Sequence, residues 1–276
     1  MTIVQPEISK DTTICLSLSG RPSNLGTRFH NFLYRELGLD FVYKATTTRD
    51  IAAAVRGLQA LGIRGAGISM PFKEAVIPLL DELEASAAAI DSVNTIVNTD
   101  GHLTGYNTDY LAVVALLDAH GIRPGGTAVV LGSGGMAKAC LAALRDNGFG
   151  DLVVVARNRA AGPALAAIYD ARWLPEIGSL RPALVVNATP IGMADGPDEG
   201  RSPVGREVVE AADAVVEVVA VPPLTPLVEL ARALGKPVVT GTEVAALQAA
   251  EQFFLYTGVR PSADQVVRAG AYSRGR

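Results

Sequence analysis

Short apolar runs rich in β-branched residues alternate along this chain with segments of helical period, and that alternation does most to limit the folds open to it. Runs at 13–18, 41–45, 65–68, 127–131, 152–155, 183–186, 214–218 and 237–240 read as strands covered on both faces. Between them, Ile51, Ala54, Val55 and Leu58 recur at helical spacing, as do Leu227, Leu230, Ala231 and Leu234, with Gly235 placed as a stop. Strands separated by helices call for crossover connections, hence an α/β fold with parallel strands. Residues 92–97 and 102–104, flanking Asp100-Gly101, break the pattern and read as a hairpin. A helix over 109–121 and the turn Arg123-Pro124-Gly125-Gly126 lead into a new strand, so a domain boundary is expected at 106–108. Residues 194–203 have the composition of a loop.

With 276 residues, 49% of them hydrophobic, the chain can bury a substantial core, and at 5% aromatic content that core must be built from Ala, Val, Leu and Ile. A net charge of −4 gives no electrostatic case for nucleic acid or an anionic membrane as partner. No run approaches the ~18 uncharged apolar residues of a membrane span. The N-terminus has neither a basic start nor an apolar stretch after it, so no leader is expected and a cytoplasmic location follows. Cys15 and Cys140 each sit in an apolar element and read as buried, reduced thiols. His30, His102 and His120 lack metal-ligand spacing, and no metal is expected.

The strongest local motif is Gly132-Ser133-Gly134-Gly135-Met136-Ala137, which follows an apolar strand and opens a helix with Ala137, Leu141 and Leu144 on one face. In that context Gly132 permits a tight turn, Gly134 lets backbone approach a pyrophosphate, and Ala137 allows close helix–strand packing. The free N–H groups at the helix start face the phosphates. The next strand ends Val155-Ala156-Arg157-Asn158-Arg159, with no acid and two guanidinium groups. A carboxylate there would bond a ribose 2′-hydroxyl and repel a 2′-phosphate, whereas Arg pairs with the phosphate in a fork, so the cofactor is read as NADP.

Hydride transfer from an alcohol also needs a group to take the hydroxyl proton. Lys73, after the strand at 65–68, and Asp109, at a helix start, are the candidates. A lysine in a cleft becomes a better base through desolvation, and a nearby carboxylate orients it. On residues alone the pairing is a weak signal, since a lysine is usually a surface residue and an Asp at a helix start usually an N-cap.

Six segments taken together are more specific. Ser69–Lys73, Ser92–Thr95, Gly105–Asp109, Gly132–Ala137, Asn187–Met193 and Gln248–Phe253 resemble, in order and spacing, the successive motifs of the shikimate/quinate dehydrogenase family. The resemblance implies a catalytic pair at Lys73 and Asp109, substrate contacts from Asn94, Gln248 and Ser69, and Thr189 and Met193 lining the cofactor cleft. Arg157 keeps the Arg of the family's Asn-Arg-Thr motif, with Asn158 in the place of its Thr. It also implies discontinuous domains: a substrate domain of 1–107 and 242–276, and a Rossmann-type NADP domain of 108–241.

Departures from the family pattern concern substrate. Two serines that bind the shikimate carboxylate in the family fall at Asn24 and Gly26. Asn24 can still donate a hydrogen bond; Gly26 keeps only its backbone. Losing one or two hydrogen bonds to a charged group, at roughly 1.5–3 kcal/mol each, weakens binding by one to several powers of ten. Glu217 stands for a usual Asp, Ala220 for a usual Tyr, and Gly67 for a usual Asn. The stretch 18–24 resembles the shikimate dehydrogenase-like branch, whose members act poorly on shikimate. His30 reads as structural. The expectation is an NADP-dependent oxidoreductase acting on shikimate or a related cyclic hydroxy acid, as a monomer or homodimer. Quinate or an aminated analogue is the alternative substrate, and a non-catalytic NADP-binding sensor the alternative role.

Overall fold

The computed structural model describes residues 7–275. Residues 1–6, on which the absence of a leader was read, lie outside the described residues. The chain divides into two compact units, Met1–Thr108 with Ala246–Arg276, and Asp109–Ala245.

In chain order the first unit holds β1 (Thr13–Leu18), α1 (Asn24–Glu36), β2 (Phe41–Thr46), α2 (Ile51–Ala60), β3 (Gly65–Ile68), β4 (Glu82–Leu83), α3 (Ala85–Ala88), β5 (Thr95–Thr99) and β6 (His102–Tyr106). The helix α4 (Thr108–Ala119) leads into the second unit, with β7 (Ala128–Leu131), α5 (Gly135–Asp146), β8 (Leu152–Val155), α6 (Ala161–Ile168), β9 (Arg172–Leu174), β10 (Leu184–Asn187), α7 (Arg206–Ala211), β11 (Ala214–Glu217), α8 (Pro226–Ala233) and β12 (Val238–Val239). Finally α9 (Gly241–Thr257) and α10 (Ala263–Ser273) return the chain to the first unit.

The first unit's sheet runs β2-β1-β3-β5-β6-β4. It is mixed, not wholly parallel: β3 with β5 and β5 with β6 are antiparallel, the latter around the Asp100-Gly101 turn. The first hairpin strand begins later than the apolar run suggests, because 92–94 are loop before the ladder starts at Thr95, and both strands run two residues further than read. The two-residue β4 was not visible in the sequence; it is too short for a period to register. Alternation along β1 sends Cys15 to one face and Leu18 to the other. On the first face Phe29, Leu33 and Tyr34 of α1 pack with Phe253 and Tyr256 of α9. Each large apolar side chain fully buried there contributes about 1.5–3 kcal/mol. Gly65 is required at this contact: a Cβ on it would lie 2.4 Å from the Tyr256 ring.

The second unit's sheet is fully parallel, in the order β12-β11-β10-β7-β8-β9. Renumbered from its first strand, this is the 3-2-1-4-5-6 order of a dinucleotide-binding fold, with the reversal of strand order between β7 and β10. The strand sequences AVVL, LVVV, LVVN and AVVE are buried along nearly their whole length. Val129, Val153, Val185 and Val215 pack on Val208, Val209, Leu227 and Ala231 of the helices α7 and α8. The division between units falls inside α9, which is continuous from Gly241 to Thr257. Among the described residues, no helix is long and apolar enough to cross a membrane.

Candidate active site

In the second unit, the glycine turn sits where β7 ends, at the switch point. Gly132 adopts φ +112°, and a Cβ on it would lie 2.9 Å from the Ala188 carbonyl oxygen, so only glycine fits. Gly134 caps α5 with extended backbone and no side-chain cap bond, and a Cβ at Gly134 or Gly135 would meet open space. Ser133 and Met136 are half-buried, and Ala137 is fully buried against the sheet. The open amides of the first turn form a cradle of the right kind for a pyrophosphate. At the end of β8, Arg157, Asn158 and Arg159 are all exposed. The Asn158 side-chain oxygen accepts from the Ala160 and Ala161 N–H groups, both at 2.9 Å, and so shapes the entry to α6. The chain's single tryptophan, Trp173, donates its indole N–H to the Ala156 carbonyl at 3.1 Å.

Past β10, Asn187 is buried and its Oδ1 accepts from the Thr189 N–H at 3.1 Å and hydroxyl at 2.6 Å. Glu217, at the end of β11, has no solvent exposure and is joined to Asn187, Val219 and Thr225. Burial pushes its carboxyl up to about 7, against the pull of these hydrogen-bond donors. Met193 stays 42% exposed. Asp109, in the first turn of α4, is buried. Its charge reaches Cys140 of α5: burial first, and then Asp109, push that thiol up to about 12.

In the first unit, Lys73 is half-buried on the loop that leaves β3. Two backbone bonds hold the loop, Ser69 N–H to the Leu18 carbonyl at 3.0 Å and Val93 N–H to the Lys73 carbonyl at 2.9 Å. The second seats Lys73 beside the segment that carries Asn94. Asn94 is 2% exposed, and its Oδ1 accepts from the Thr95 hydroxyl at 2.8 Å and the Thr108 N–H at 2.8 Å. The Thr108 hydroxyl lies 3.1 Å from that oxygen and 3.4 Å from Gln248 Oε1. Gln252 Nε2 donates to the Asn94 carbonyl at 3.2 Å and to the Thr95 hydroxyl at 2.9 Å. The Thr95 and Thr108 bonds fix the Asn94 amide oxygen, and Nδ2 is left without a partner among the described residues. A buried donor left unmet costs about 1–3 kcal/mol, which a ligand oxygen would recover.

Asn94, Gln248 and the Lys73 loop are thus brought together. Ser69 is exposed on the same loop. Asn24 lines a recess of about 330 Å³ with Pro22, Ser23, Thr27, Lys44 and Ala45. Gly26 lies 3.4 Å, by its missing Cβ, from the Tyr43 ring, and a Cβ at Gly67 would come within 2.7 Å of the Tyr43 hydroxyl. Tyr43 therefore occupies the space that the usual Asn at 67 would enter. His30 is completely buried, stacked on Tyr43 at 4.3 Å, and held neutral by desolvation, its pKa lowered to about 3. Sequence reasoning missed Thr95, Thr108 and Gln252 as the frame of Asn94. All three lay inside motifs read for other residues, and a hydroxyl or amide carries no signal of its own before its partners are placed.

The model of the shikimate dehydrogenase substrate binding domain matches residues 23–96. A shikimate dehydrogenase-like protein of Haemophilus influenzae is 48% identical over 97% of this chain and 98% of its own length. The solved structure of a shikimate 5-dehydrogenase-like protein superposes with a TM-score of 0.94, at 48% identity, covering 97% of this chain and 99% of that one. Shikimate 5-dehydrogenase from Thermus thermophilus, solved in complex with NADP(H) and shikimate, superposes with a TM-score of 0.84 at 31% identity, covering 95% of this chain and 99% of that one.

Proposed function

Because the chain belongs to the shikimate dehydrogenase family, we propose that it is an NADP-dependent oxidoreductase that interconverts shikimate, or a closely related cyclic hydroxy acid, and its 3-dehydro ketone. The observation that carries the reading is the glycine turn at the switch point of a 3-2-1-4-5-6 sheet, with Arg157 and no acid just after the next strand. Gly132–Ala137 would hold the pyrophosphate, Arg157 with Asn158 the 2′-phosphate side, and Thr189 and Met193 the nicotinamide side. NADP, when bound, supplies the hydride acceptor. The substrate hydroxyl gives its proton to the Lys73 amine as the carbinol C–H leaves as hydride, and in reduction Lys73 returns it. Asp109 orients Lys73 and balances its charge. Asn94, through its unpartnered Nδ2, and Gln248 hold the substrate's other oxygens; Ser69 and Asn24 complete the set.

The domain roles follow: 1–107 with 242–276 for substrate, 108–241 for NADP. Asn24 and Gly26 in place of two serines, and Ala220 in place of a tyrosine, weaken the hold on a carboxylate. Quinate or an aminated analogue is the second substrate reading. The protein acts on small molecules in the cytoplasm, where two free, buried cysteines remain reduced, as a monomer or homodimer. The test is turnover with NADP and with NAD across shikimate, quinate and aminated analogues. Oxidation of one of these with NADP preferred is the expected result. Tight NADPH binding with no turnover on any member would instead assign a sensor.

A further inference from the structure

Glu217 ends β11 as a carboxyl group with no solvent exposure, and the proton transfer described above does not use it. Burial of such a group is unfavourable unless its oxygens are met, and here they are. Oε1 accepts from Asn187 Nδ2 and from the Val219 N–H, both at 2.9 Å, and Oε2 is 2.9 Å from the Thr225 hydroxyl. Asn187 passes the connection on to Thr189, whose hydroxyl accepts from the Ile191 N–H at 3.2 Å. One side chain thereby ties the loop after β10 to the loop after β11. The loops are joined again where the Ala194 N–H meets the Val221 carbonyl at 2.9 Å. They meet a third time at Gly192, φ +90°, where a Cβ would touch Thr225. On this polar frame Met193, Val221 and Leu224 remain 42%, 46% and 49% exposed. Apolar side chains held in the open beyond the strand ends suit a flat, weakly polar ring.

We infer that Glu217 is a positioning residue for the nicotinamide end of NADP, acting by holding the 187–194 and 218–225 loops in register. The inference rests on the dinucleotide reading above. The adenosine 2′-phosphate end would be met by other residues, Arg157 and the Gly132 turn, which follow β8 and β7. The two ends can therefore be loosened separately.

The experiment compares wild-type protein with Glu217→Leu, Glu217→Ala and Glu217→Gln by calorimetric titration of NADPH and of adenosine 2′,5′-bisphosphate, which carries the 2′-phosphate and no nicotinamide. Leu keeps the volume and removes every acceptor. Gln keeps one acceptor for Asn187 and Val219 and donates to Thr225. Leu and Ala are expected to weaken NADPH by about tenfold or more while leaving the bisphosphate within about twofold, and Gln to stay within about threefold on both. Equal weakening of both ligands, or none of NADPH by a folded Leu or Ala variant, overturns the inference. A Gln variant as weak as Leu overturns it too. If wild-type protein binds neither ligand, the dinucleotide reading itself fails, a result distinct from all of these.

Discussion

Glu217→Gln removes a titration and keeps a hydrogen-bond frame. Burial raises the folded-state carboxyl from 4.5 to about 7. Between those values the folded chain holds a proton that the unfolded chain has released. The stability contributed by this group is therefore fully present below pH 4.5 and is lost as pH rises through about 7. At about 1.36 kcal/mol per unit, the loss reaches roughly 3 kcal/mol by about pH 8. Glutamine loses none of it, and every other titration is common to the two proteins and cancels in their difference. The variant should gain on wild type by up to roughly 3 kcal/mol between about pH 5 and pH 8, near 10 °C in melting temperature for a domain of this size. Circular dichroism melts and urea midpoints of both proteins across that range measure the gap. Parallel pH profiles, or a gap that moves in wild type's favour as pH rises, would refute the reasoning.

Other outcomes follow from the same geometry. Lys73→Ala should abolish turnover and leave NADPH binding, followed by Trp173 fluorescence, within about twofold of wild type; surviving activity would remove Lys73 from proton transfer. Arg157→Ala should cost about ten- to a hundredfold in NADPH affinity and little in NADH affinity, the loss of roughly 1.5–3 kcal/mol in charged hydrogen bonds; an unchanged ratio in competition titrations would refute the 2′-phosphate role. Gly26→Ser, which meets Tyr43 only in ordinary contact, paired with Asn24→Ser, should lower the KM for shikimate. Gly67→Asn should instead destabilise by about 1–3 kcal/mol in urea melts through its clash with the Tyr43 hydroxyl, and Tyr43→Phe should relieve it. Independent effects of the Gly67 and Tyr43 changes would refute that coupling.

The sequence was most readable where period and motif coincide. In the second unit the β-branched runs, the Gly132 turn and the helix of Ala137, Leu141 and Leu144 each appear as expected, because a strand buried on both faces leaves a compositional trace. Short β4 and β9 left none. The mixed sheet of the first unit was half visible: Asp100-Gly101 marked the hairpin, but nothing local said that β5 would pair antiparallel with β3. The same limit applies to the site. Lys73, Asp109, Asn94 and Gln248 are put forward by their motifs, as proposals that the variants above test. That Thr95, Thr108 and Gln252 orient the Asn94 amide depends on residues up to 158 positions apart in the chain. Glu217 was noticed as a departure from Asp; its partners are set by three segments that only the sheet brings together.

The path of α9 has a consequence for how the chain comes into being. Asp109–Ala245 is an unbroken stretch and has all of its own strands once residue 245 has left the ribosome. The first unit starts earlier and finishes later. Until Phe253 and Tyr256 emerge, Phe29, Leu33 and Tyr34 lack the apolar partners that cover them, and Arg64 lacks the Leu255 and Tyr256 carbonyls it later bonds. The part made first is thus the part completed last, and its apolar face waits longest for cover during synthesis, the condition that favours aggregation of partly folded chains in general.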